Sequence, residues 1–268
     1  MEKILDSEFP YADGILNGKN ALVCGASKGI GRATALMLAR AGAKVIVCAR
    51  SSEKLDDLVK EMYGVGHSKL ILDLEDISSL EYEINELTKS HKIHILVNNA
   101  GGPPGGPLLS NKIDDFDAPF RRHLHAAHTI TQILTPIMES EGYGRIVNII
   151  STSVREPIDN IGLSNTLRGA MGSWAKSLSR ELSPCITINN ILPGFTDTDR
   201  LGSLAQSISE KTGKSIQSVQ DKWIDSVPIQ RLIDPLETGA AVTWLCLPSS
   251  GSVRGISLAV DGGRMRSI

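Results

Sequence analysis

Apolar residues run along this chain in short unbroken blocks that alternate with longer amphipathic stretches. The block from Asn20 to Cys24 reads as a buried strand. After it, Ile30, Ala33, Thr34, Met37 and Leu38 recur at the three-and-four spacing of one helix face, predicting a helix over 30–41. The same alternation predicts further strands over 44–48, 69–72, 93–97, 145–150, 186–192 and 256–260. Between them it predicts helices over 51–62, 76–90, 163–182 and 235–247, with one long helix ending near Ser140. Ser51 or Ser52 and Asp76 stand where N-caps belong, and Pro235 sits in a first turn. Strands that alternate with helices build βαβ units. The expected fold is therefore α/β: a single Rossmann-type domain, a doubly wound parallel sheet of about seven strands with helices on both faces. Residues 1–15 are expected to be an N-terminal extension, covering a surface or partly disordered, and 16–268 the domain.

Composition narrows the class. The sequence is 41% hydrophobic and 22% charged, with a net charge of −2. That balance favours neither nucleic acid nor an anionic membrane, and Lys and Arg are scattered. No apolar run approaches the ~18–20 residues of a membrane span, and the N-terminus lacks the pattern of a signal peptide. A cytoplasmic protein is expected. Cys24, Cys48, Cys185 and Cys246 show no metal-ligand spacing, so they read as small hydrophobes and no metal is expected.

The chemistry begins between the first strand and first helix, at Gly25, Ala26, Ser27, Lys28, Gly29, Ile30 and Gly31. Gly25 permits a sharp exit from the strand, Gly29 a close approach of backbone to a pyrophosphate, and Gly31 close helix packing. The amides of the helix N-terminus then face phosphate. An Asp or Glu about 20 residues past this turn would bind a ribose 2′-hydroxyl. Arg50 stands there instead, followed by Ser51, and a guanidinium can hold a 2′-phosphate. With Lys28 it points to NADP(H), NAD(H) being the second choice.

Several motifs in order resemble the short-chain dehydrogenase/reductase family, in its β-ketoacyl carrier-protein reductase-like branch. The glycine turn is similar to the family's, with Cys24 where Thr is usual. Asn98, Asn99, Ala100 and Gly101 match the segment after the family's fourth strand, and Arg145 to Ser151 match its fifth strand and serine. The run Asn189 to Gly194 and the terminal Val260, Asp261, Gly262 and Gly263 match as well. The resemblance spans nearly the whole chain. It implies that Asp73 and Leu74 lie near the adenine and that Asn99, Ala100 and Gly101 lie along the adenine ribose and the loop beyond. It implies that Pro193, Gly194, Thr196 and Thr198 meet the nicotinamide end. A homo-oligomer, dimer or tetramer, is implied too.

The resemblance breaks at the catalytic tetrad. The serine position holds Ser151, but the usual Tyr is Ser164, the usual Lys is Arg168, and the usual Asn aligns with His123. A tyrosine hydroxyl beside an ammonium can be brought toward neutrality, whereas a serine hydroxyl is far less acidic. Arg168 keeps a positive charge and can clamp ribose hydroxyls. His123 titrates in the useful range, Asp159 borders the same region, and Tyr143 precedes a strand at the wrong end of the sheet. The loop from Gly101 to Pro107 and the stretch 196–227, with its expected helix pair, shape the cleft. Three functions follow: an NADP(H)-dependent oxidoreductase acting on a small carbonyl or alcohol; a non-catalytic dinucleotide-binding sensor or scaffold; and an enzyme of another class, such as a lyase or epimerase.

Overall fold

The computed structural model describes residues 2–267. Seven parallel strands form one sheet: β1 (Asn20–Cys24), β2 (Lys44–Ala49), β3 (Ser68–Ile71), β4 (Ile95–Asn98), β5 (Gly144–Ile149), β6 (Ile186–Pro193) and β7 (Ser257–Val260). Their order across the sheet is β3-β2-β1-β4-β5-β6-β7. The order reverses between β1 and β4, and it is at such a switch point that open α/β sheets bind their ligands.

The helices are α1 (Glu2–Leu5), α2 (Gly29–Arg40), α3 (Ser52–Glu61), α4 (Ile77–Ser90), α5 (Asp117–Phe120), α6 (Ala126–Ser140), α7 (Gly162–Glu181), α8 (Asp199–Thr212), α9 (Ile216–Asp225) and α10 (Pro235–Leu245). Parallel strands covered on both faces need apolar residues on both faces, which is why their sequence runs are unbroken rather than alternating. One core packs α2, α3 and α10 on the sheet through Val23, Leu38, Leu55, Leu58 and Val242. The other packs α4, α6 and α7 through Leu22, Leu80, Ile84, Leu134 and Ala175. Each buried Leu, Ile or Val among them contributes about 1.5–3 kcal/mol.

The sequence reading is corrected in details. β3 and β4 are displaced from their expected bounds, and α10 ends at Leu245 rather than 247. Ser51 holds the N-cap position of α3 without a side-chain capping bond, whereas Asp76 accepts from the Ser79 amide as a true cap. The long helix is not one regular element: α5 and α6 are joined by a π-helical segment, Arg121–His125. The N-terminal residues cover a surface: Phe9 and Tyr11 pack with Met37 and Leu236 over α2 and α10, and the Tyr11 hydroxyl donates to Ala240 O at 2.6 Å. Among the described residues no helix is long and apolar enough to cross a membrane.

A row of polar side chains crosses the apolar sheet in register. Asn98 pairs with Asn148, Asn148 with Asn190, and Asn190 with Ser257. Asn98 Nδ2 donates to Asn148 Oδ1 at 2.9 Å, Asn148 Nδ2 to Asn190 Oδ1 at 2.9 Å, and Asn190 Nδ2 to Ser257 Oγ at 3.2 Å. The row pins β4 to β7 just below the end where the site lies. Asn148 is its centre and is fully buried. Asn148→Ala strands a donor on Asn98 and an acceptor on Asn190. A loss of about 2–4 kcal/mol is expected, read as a lower urea midpoint with unchanged slope; a loss below about 0.5 kcal/mol would show that the row is not structural.

Candidate active site

The β1–α2 turn is built by contact with the end of β4. Gly25 and Gly29 have φ of 61° and 57°, conformations that glycine adopts without strain. A Cβ on Gly25 would lie 2.5 Å from Asn99 O, and one on Gly31 would lie 2.4 Å from Gly25 O. A Cβ on Gly31 would also lie 2.6 Å from Asn99 Nδ2, so this glycine lets the start of α2 close on both the turn and the end of β4. Asn99 Nδ2 donates to Cys24 O at 3.2 Å and Gly25 O at 3.1 Å, so this side chain braces the turn. Lys28, the N-cap of α2, is extended and makes no capping bond, and the first turn of α2 holds no acidic residue. Its free amides suit an anion.

This turn opens into a cleft of about 520 Å³, within the range of small-molecule sites. Gly25, Ser27, Lys28, Gly29 and Ile30 line one wall; Arg50, Ser51, Asp73 and Leu74 line the far end; Asn99, Ala100, Gly101 and Thr198 complete it. The donor set fits a dinucleotide. Free helix amides face a diphosphate position, and beyond β2 the cations Arg50 and Lys54 stand where a carboxylate would repel a 2′-phosphate. Arg50 lies 3.6 Å from Asp73, and Lys28 lies 3.8 Å from Asp199. Both pairs are well exposed and hold their cations only weakly.

Lys54, Arg122 and Arg200 also line the cleft, and sequence reasoning missed them. Lys54 stands in the first turn of α3, four residues after Arg50, and Arg122 adjoins His123; those positions were the available signals. Nothing in the pattern marked Arg200.

Pro193, Gly194 and Thr196 do not border this cleft. A Cβ on Gly194 would lie 2.7 Å from Asp261 Cα, so this glycine serves the contact between β6 and the terminal segment. Thr196 is buried and donates from Oγ1 to Gly194 O at 3.3 Å.

None of the four positions expected to match the tetrad, His123, Ser151, Ser164 and Arg168, borders this cleft. Ser151 follows β5 and accepts a bond from the Ser153 amide at 3.1 Å. Ser164 and Arg168 lie one turn apart on the buried side of α7. Arg168 donates from Nη1 to Ile149 O at 2.8 Å. Burial, aided by the charge of Arg200, pushes the Arg168 guanidinium down to about 10, still charged at neutral pH. His123 is buried, and its Nε2–H donates to Gly101 O at 3.0 Å. Burial and then Arg168 push the imidazole well below its usual value. The expectation that His123 titrates in the useful range is thereby corrected: the ring is neutral at physiological pH.

No tyrosine compensates. Tyr143 gives its hydroxyl to Cys246 O, and burial raises its pKa. Tyr11 is committed to Ala240 O, with burial pushing it up to about 12, and Tyr63 and Tyr82 are exposed outside the cleft. Asp159 is exposed and does not line the cleft.

Comparison with known proteins agrees with this geometry. Residues 25–264 match the family described as enoyl-(acyl carrier protein) reductase. The chain is 31% identical over 257 residues to the 3-oxoacyl-(acyl-carrier-protein) reductase FabG of Thermotoga maritima, covering 92% of this chain and 98% of that protein. Identity to FabG of Vibrio harveyi is 33% over 252 residues, covering 92% and 98%. A solved variant of actinorhodin polyketide ketoreductase with NADPH superposes with a TM-score of 0.87 at 28% identity, covering 96% of this chain and 100% of that one. The chain belongs to the short-chain dehydrogenase/reductase family of oxidoreductases.

Proposed function

We propose that this protein is an NADP(H)-dependent oxidoreductase that interconverts a carbonyl and a secondary alcohol, with Ser164 and Arg168 acting where family members carry Tyr and Lys. The observation that carries this reading is the cleft itself: an anion-ready turn at one wall, Arg50 and Lys54 beyond β2, and at its other end Gly101, whose carbonyl meets His123. The NADPH named with the solved ketoreductase supports the choice of dinucleotide.

Gly25, Ser27, Gly29 and Ile30 receive the diphosphate, with Lys28 adding charge. Arg50, Ser51 and Lys54 hold the 2′-phosphate, Asp73 and Leu74 border the adenine, and Asn99, Ala100 and Thr198 border the ribose and diphosphate. Pro193, Gly194 and Thr196 shape the far wall from behind. A nicotinamide dinucleotide held by these residues would supply hydride chemistry at the carbonyl carbon. Ser151 and Ser164 hydrogen-bond the substrate oxygen. Arg168 stabilises negative charge growing on that oxygen and bonds ribose hydroxyls. The oxygen takes its proton from the Ser164 hydroxyl, which regains one from solvent. His123 is a positioning residue: as a neutral donor it fixes the carbonyl of Gly101 and with it the loop behind the substrate.

Three outcomes test these roles. Arg50→Glu is expected to weaken NADPH binding at least about tenfold, the size of a charge-assisted contact, and NADH binding by much less. Fluorescence titration reads both, and an unchanged NADPH affinity rejects the assignment. Ser164→Ala is expected to lower kcat on a responsive ketone by about 10²-fold, with NADPH affinity kept; a wild type that binds NADPH yet turns over no ketone or alcohol rejects the catalytic reading.

The third outcome concerns pH. The native His123 pKa lies below the value near 6.5 of a free imidazole, so on acidification the unfolded chain takes the proton first. Stability therefore falls as pH drops below about 6.5, while above it the group contributes nothing. His123→Gln keeps an N–H donor and loses the titration. Relative to wild type, the variant should gain stability between pH 7.5 and pH 5, with His94 equal in both. A constant difference across that range would count against the neutral-strut role.

A further inference from the structure

Apart from Lys54, which is exposed and faces no carboxylate among the described residues, the cations around the cleft are of two kinds. Lys28, Arg50 and Arg122 each face a carboxylate: Asp199, Asp73 and Glu75, at 3.8, 3.6 and 2.5 Å. Arg168 and Arg200, at the inner end, face none among the described residues. Arg168 bonds Ile149 O through Nη1, and its Nη2 has no partner among the described residues. Arg200 reaches back from the start of α8, donating from Nη1 to Gly102 O at 3.1 Å and from Nη2 to Pro103 O at 3.3 Å. The two guanidiniums converge on one point. A Cβ on Gly102 would lie 2.8 Å from Arg200 Nη2 and 3.4 Å from Arg168 Nη2.

Arg168 is buried and Arg200 is exposed to the cleft, and two adjacent like charges with only neutral carbonyls between them repel until an anion joins them. The dinucleotide phosphates are served elsewhere, by the turn and by Arg50. The carbonyls of Gly102 and Pro103 occupy the Arg200 fork as the two oxygens of a carboxylate would, but without its charge. Arg168 lies one turn from Ser164, so an anion received here sits beside the carbonyl under reduction.

We infer that Arg200, with Arg168 beside it, is the receptor for a carboxylate of the substrate, which makes the substrates 2- or 3-oxo acids and the matching hydroxy acids. This rests on reading the cleft as a dinucleotide-dependent active site. On binding, the carboxylate replaces the carbonyls of Gly102 and Pro103 on the Arg200 fork, and its two oxygens neutralise the pair. A neutral amide of the same size gains no such neutralisation.

Calorimetry on protein saturated with NADP⁺ tests this, with 2-oxobutyrate and acetoacetate as probes against 2-oxobutyramide and acetoacetamide. At least one acid is expected to bind about 10–100-fold more tightly than its amide, the yield of a charge-assisted bidentate contact. Arg200→Gln should abolish that preference; because Arg200 also lines the dinucleotide cleft, acid and amide are compared at saturating NADP⁺ and the NADPH affinity of the variant is read separately by fluorescence. Acids that bind no better than amides, or bind more weakly than about 10 mM, overturn the inference. So does Arg200→Gln that weakens NADPH and spares the preference, since Arg200 would then serve the dinucleotide. If wild-type protein binds no NADPH at all, the oxidoreductase reading itself fails; if NADPH binds and only the acid preference is missing, the failure belongs to the carboxylate receptor alone.

Discussion

The cleft depends on one close approach, that of the β1–α2 turn to the end of β4. Gly25, Gly31 and Asn99 meet there with no space for a side chain on either glycine, and the Asn99 amide takes up two carbonyls of the turn. Strands β1 and β4 are sheet neighbours only because the chain crosses the sheet between them, after β3. Contact across that crossover holds the first turn of α2 open toward the cleft. The asparagine row one step below extends the same restraint from β4 to β7. The floor of the site is thus held by short polar bonds inside an apolar sheet, where each has no competing water.

A second set of contacts ties the loop after β4 to the surrounding helices. The π segment between α5 and α6 widens the helix where Arg122 and His123 lie, and both reach Gly101 O, at 3.5 and 3.0 Å. Arg122 also bonds Glu75, which follows β3. Arg200 then grips the next two carbonyls from α8. Three consecutive carbonyls of one loop are therefore held by side chains from two separate elements. This loop is rich in glycine and proline and carries little side-chain packing of its own, so these bonds set its path past Ser164 and Arg168.

The strands and most helices were legible because a covered parallel sheet writes itself as unbroken apolar runs, and an amphipathic helix as a three-and-four rhythm. The glycine turn was legible because its spacing falls between a strand and a helix. What stayed hidden depends on distance in space. Arg200 carries no local signal; its role arises because α8 folds back over a loop nearly a hundred residues earlier. The π segment has no apolar periodicity to mark it. Nothing local to Gly194 announces that Asp261, which follows β7 far along the chain, presses on it. His123 was read by its solution pKa, and only burial beside Arg168 shows that its ring stays neutral.

A serine in the role proposed for Ser164 changes what the site must do, and the cations beside it suit the change. A tyrosine lowered toward neutrality delivers a ready proton, whereas a serine hydroxyl does so only if the oxygen it serves is already strongly basic. An oxygen gaining negative charge in hydride transfer is that basic, provided the charge is stabilised while it forms. A buried guanidinium one turn from Ser164 supplies that stabilisation without giving up its own proton, which an ammonium with a lower pKa would do more readily. Neutral His123 adds no further cation to this field. In the proposed reaction, acidity lost at the hydroxyl is therefore offset by charge fixed around it, and proton transfer through Ser164 follows the electrostatic work rather than leading it.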